Sequence, residues 1–132
     1  MRAALRRLVQ ERAGNRCEYC RLHQQFQPVA FHIEHITARQ HGGEGSPQNL
    51  AFACHRCNLH KGPNLTGLDP ETGLVTRLFN PRRDRWMEHF EMCHARIIGL
   101  TPVGRATAAL FQMNTPDRIE LRSSLLAEGL WR

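Results

Sequence analysis

The stretch FHIEHITARQHGGEGSPQNLAFACHRCNLHKG, residues 31–62, decides the fold. It sets Glu34 and His35 side by side, carries Asn49 at the far end of a glycine-rich loop, and places Asn58 directly after the pair Cys54 and Cys57. A packed core has no use for this many polar, metal-competent side chains in succession. An earlier pair, Cys17 and Cys20, repeats the same spacing. Two thiolate pairs, each with its members three residues apart, supply the ligand set of a closed tetrahedral zinc site. Four thiolates leave no position open for substrate, so the expected role is structural. Binding energy at such a site acts as folding energy and ties the first knuckle to the segment after Ala53. An iron–sulfur cluster or a redox pair are the rival uses of the same cysteines.

Working outward, Pro28 to Ile36 alternates weakly and predicts a strand that ends beside Glu34 and His35. The loop that follows holds three glycines, a serine and a proline and is expected to lack regular structure. A short strand over 50–53 leads back to Cys54, and a helix over 55–61 should stop at Gly62-Pro63. Upstream, Leu5, Leu8, Val9 and Ala13 recur at helical spacing, with Gly14 as a left-handed stop. Downstream, LTGLDPETGLVTRLF predicts a hairpin turning at DPETG. Within 86–100 the pattern is ambiguous, although ARIIGL suits a strand. Thr101-Pro102 and Thr115-Pro116 each place a capping hydroxyl before a proline, predicting helices over 102–113 and 116–128. The expected fold is α+β, one domain over 1–132: a small zinc-stapled core at 14–62, an N-terminal helix, and a hairpin and helical extension over 63–132.

Composition narrows the partner class. The 132 residues hold 41% hydrophobic side chains, enough for a modest core only. Eighteen basic against twelve acidic side chains give +6, and Lys61 is the one lysine, so the positive charge is almost wholly arginine. The planar guanidinium fork matches phosphate, which points to nucleic acid as partner. No apolar run is long enough to cross a membrane, and the first residues alternate charge with Leu and Val, so a cytosolic protein is expected. Thiols stay reduced there, which favours metal ligation over disulfides for the four paired cysteines. Cys93 stands alone and reads as a small buried apolar residue.

Hydrolysing a phosphodiester takes a water, a group to accept its proton, and positive charge near the oxygens that gain negative charge. His35 can be the base. The Glu34 carboxylate and the Asn58 amide oxygen suit a hard divalent cation, and a strand end facing a helix brings them together. Asn49 can bridge the long loop and keep His35 oriented. Lys61, one helical turn after Asn58, is placed to reach a phosphate. In NPRRDRW, Arg82, Arg83 and Arg85 can track a DNA backbone with Trp86 as anchor; otherwise Arg39, Arg56 and Lys61 around the site would carry that contact.

The succession CEYC, IEHI, GG, QNL and CHRCNLHKG, over residues 14–62, resembles the HNH endonuclease family in its zinc-bearing form with a ββα-metal core. The resemblance implies a metal-dependent endonuclease that hydrolyses DNA phosphodiester bonds, with DNA as the partner. His35 would be the general base, Glu34 and Asn58 would bind the catalytic divalent ion, Asn49 would orient His35, and Cys17, Cys20, Cys54 and Cys57 would bind zinc. Where many members have a final histidine this chain has Asn58, which favours Mg²⁺ or Mn²⁺ over a transition metal. The alternative is a zinc-knuckle module that binds nucleic acid without cutting it.

Overall fold

The computed structural model describes residues 2–131. They group into two compact units, one of residues 1–65 with 80–84 and one of 66–79 with 85–132.

The first unit opens with helix α1, Ala3–Arg12. Its arginines act as clamps: Arg6 donates to the Phe31 carbonyl at 2.8 Å, and Arg12 donates to the carbonyls of Pro47 at 2.9 Å and Leu50 at 2.8 Å. Beneath it lies an antiparallel hairpin of β1, His32–His35, and β2, Leu50–Ala53, in which Glu34 is opposite Ala51 and His35 opposite Leu50. Strand β1 is shorter than the expected 28–36. The side chain of Gln24 takes the Phe31 N–H and the Val29 carbonyl, so those backbone groups are withdrawn from the ladder. Helix α2, His55–Lys61, follows at once, and its chain turns at Gly62, where φ is +51°. Leu50, Phe52, Phe31, Tyr19 and Val9 fill the core, with the Phe31 and Phe52 rings 5.3 Å apart. This is the β-β-α order expected of the core, in a chain of mixed helix and small sheets.

The loop between the strands, expected to be irregular, holds two single 3-10 turns, Arg39–His41 and Pro47–Asn49. Gly43 is obligatory here, since a Cβ would lie 1.7 Å from the Thr37 carbonyl oxygen.

The second unit carries the expected hairpin, β3, Thr66–Leu68, with β4, Val75–Arg77. At its turn the Asp69 carboxylate takes a paired grip from Arg105, both bonds 2.9 Å, together with the Glu71 N–H and the Thr72 hydroxyl. The ambiguous region is a single helical turn, α3, Trp86–His89, then a second hairpin of β5, Phe90–Cys93, and β6, Arg96–Gly99. Cys93, expected to be buried, is exposed, because strand alternation turns Phe90 inward and Glu91 and Cys93 outward. Trp86 is buried against Phe90, ring centroids 5.1 Å apart.

Helix α4, Pro102–Leu110, is capped by the Thr101 hydroxyl, which accepts from the Gly104 N–H at 3.1 Å. It stops short of residue 113. Gln112 takes a left-handed φ of 50°, and Arg118 caps the carbonyls of Phe111 and Gln112. Helix α5, Pro116–Ala127, closes the unit, though the Thr115 side chain makes no capping bond.

Candidate functional site

Four buried cysteines converge: the sulfurs of Cys17, Cys20, Cys54 and Cys57 all lie within 4.8 Å of one another. Cys20 and Cys54 are 3.7 Å apart, far beyond a disulfide and close to the roughly 3.8 Å between thiolates placed tetrahedrally about an ion at about 2.3 Å. Each knuckle turns a backbone N–H onto its first sulfur, Cys20 N to Cys17 Sγ at 3.5 Å and Cys57 N to Cys54 Sγ at 3.4 Å. Burial pushes the Cys17 and Cys57 thiols well above their ordinary range. A dication would reverse that cost, since a coordinated thiol gives up its proton. The four residues are positioned to hold a metal ion, and the all-sulfur donor set fits zinc.

Next to this cluster, Glu34 and His35 at the end of β1 and Asn58 on α2 line one open depression of about 330 Å³, with Ala38, Arg39 and Pro63 on its rim. His35 is half-buried. Burial, then the positive charges of Arg39 and Lys61, lower its pKa and keep its imidazole neutral near pH 7, the form able to accept a proton. Arg39 Nε lies 3.5 Å from His35 Nε2.

Glu34 is 6% exposed. One of its oxygens accepts the Tyr19 hydroxyl, and the other pairs with the Lys61 ammonium at 3.3 Å. Burial raises the Glu34 pKa, while Lys61 and Tyr19 pull it back down. A carboxylate offers about four lone-pair sites, so the two contacts leave capacity for a cation. With the Asn58 amide this is a hard-oxygen donor set of the kind that suits Mg²⁺ or Mn²⁺.

Asn49 does not line the depression. Its amide closes the loop, accepting from the Thr37 N–H at 2.8 Å and donating to the carbonyls of Thr37 at 2.9 Å and Glu44 at 2.8 Å. Its backbone carbonyl receives the Ile36 N–H, so it braces the chain just after His35 rather than the ring itself. Lys61 turns inward instead of towards solvent: it is 2% exposed and donates to the carbonyls of Ile36 at 2.8 Å and His35 at 3.3 Å. Arg82 is likewise engaged, paired with Glu18, whose other oxygen accepts the Phe52 N–H at 2.8 Å. Arg83 is exposed in the turn at 80–84, Arg85 is exposed in the second unit, and Arg56 is half-buried on α2.

Sequence reasoning missed Tyr19 and Glu18. Both sit between the cysteines of the first knuckle, and a polar-aromatic pair locked in so tight a turn was the available signal. No curated protein and no solved structure significantly matches the chain. Residues 17–64, which hold the cysteine cluster and the depression beside it, match the family model described as HNH endonuclease.

Proposed function

We propose that the protein is an endonuclease that hydrolyses DNA phosphodiester bonds with one divalent cation, and that the four cysteines hold a structural zinc. The observation that carries this reading is the convergence of Glu34, His35 and Asn58 on one depression beside the cysteine cluster, inside the segment that matches the HNH family. Glu34 and Asn58 would hold the cation, which when bound supplies positive charge for the scissile phosphate and the leaving oxygen. His35, kept neutral, takes the proton of the attacking water. Arg39, on the rim, offers an exposed guanidinium to a non-bridging phosphate oxygen. Asn49 acts through the backbone, fixing Thr37 and Ile36 so that His35 leaves the strand in one direction.

The test is nicking of supercoiled plasmid by protein stripped of loosely held metal, with Mg²⁺ or Mn²⁺ restored, beside His35→Ala. Cleavage should return with the cation in wild type and fall by at least about 100-fold in the variant, which loses proton transfer. A folded His35→Ala protein that nicks at the wild-type rate overturns the mechanism. Binding without any cleavage in wild type would leave the zinc-knuckle binding module as the function.

A further inference from the structure

Glu34 is gripped at both oxygens by two residues that the hydrolytic scheme does not use, Tyr19 and Lys61. All three are buried, Tyr19 completely. A glutamate has three rotatable bonds, and a carboxylate held from both ends has its freedom removed before any cation arrives. Lys61 does more than pair with it: its ammonium also donates to the carbonyls of His35 and Ile36, spanning the carboxylate and the exit of β1 at one point.

The two grips come from the two halves of the cysteine cluster. Tyr19 lies between Cys17 and Cys20; Lys61 ends the helix that Cys54 caps and in which Cys57 lies. Resting on the nuclease reading of Glu34, we infer that Tyr19 and Lys61 are positioning residues that hold the Glu34 carboxylate for the divalent cation, so that both cysteine knuckles set the geometry of the cation site. Partners one step removed from a metal typically alter affinity by about 10–100-fold when lost. A purely structural pair would alter stability and leave cation affinity alone.

The experiment measures Mn²⁺ binding by electron paramagnetic resonance on the full, zinc-loaded chain, without DNA. Tyr19→Phe, which removes one hydroxyl, should weaken Mn²⁺ binding about 10-fold or more. Zinc content and far-ultraviolet circular dichroism should stay unchanged. Lys61→Arg, which keeps the charge but not the compact ammonium, should act in the same direction; if it fails to fold, Tyr19→Phe still decides. In a Glu34→Gln background, Tyr19→Phe should add almost nothing, because its effect passes through the carboxylate. Tyr19→Phe binding Mn²⁺ as wild type does, or losing the same factor in both backgrounds, overturns the inference. Glu34→Gln alone is the separate control: if it leaves Mn²⁺ binding unaltered, the assignment of Glu34 as a ligand fails and takes the inference with it.

Discussion

Burial and two neighbouring cations hold the His35 imidazole below its ordinary value of 6.5, and this has a measurable consequence. A base must be deprotonated to act, so activity should rise with pH along an acid limb centred below 6.5 and then level off. Arg39→Ala removes one of the cations and should move that limb to higher pH, read from kcat/KM for plasmid nicking across pH 5–8. An unmoved limb would remove Arg39 as a cause. The pairing of Glu34 with His35 was legible because an acid and an imidazole stand together between Ile33 and Ile36. Lys61 and Arg82 were not legible in the same way. A charged residue defaults to solvent, and each turns inward only because the fold delivers a buried carboxylate, Glu34 or Glu18, from a distant part of the chain. For the same reason much of the arginine content that suggested phosphate contact instead caps carbonyls, as Arg6, Arg12, Arg118 and Arg122 do.

The elements around the site could be read because each boundary has its own local chemistry: Cys54 caps α2, Gly62 stops it, and Asn49 closes the loop that joins the strands. Boundaries failed where a side chain seven residues away took the backbone groups at the element's end, as Gln24 does at the start of β1 and Arg118 at the end of α4. Two short strands and a seven-residue helix cannot stand alone. A structural zinc typically contributes on the order of 10–16 kcal/mol, against a net domain stability of about 5–15 kcal/mol. Chelation of tightly bound zinc, or Cys54→Ser, should therefore abolish cooperative folding of the first unit rather than lower its melting temperature slightly. Circular dichroism and zinc stoichiometry together would check this; an apo-protein as stable as the holo form would remove the structural role.

Across the whole molecule the charge is not shared evenly. The first unit holds eleven basic and five acidic side chains and the second seven of each, so the net +6 resides in the first. DNA affinity should follow that partition. Replacing exposed Arg83 by Ala should flatten the dependence of log affinity on log salt by roughly 0.9, the slope of one phosphate contact, while Arg96→Ala in the second unit should leave it unchanged. The measurement is binding to an uncleaved duplex in Ca²⁺ from low to moderate salt. Equal slopes in both variants would place the phosphate contacts elsewhere.

The return of residues 80–84 to the first unit bears on how the protein can be dissected. A fragment trimmed to the matched residues 17–64 would carry both knuckles and the depression, yet it would strand Glu18 without its guanidinium and release the Pro47 and Leu50 carbonyls from Arg12. The segment that matches the family model is smaller than the compact unit that contains it, and an excised first unit needs α1 and the Asn80–Asp84 turn supplied with it.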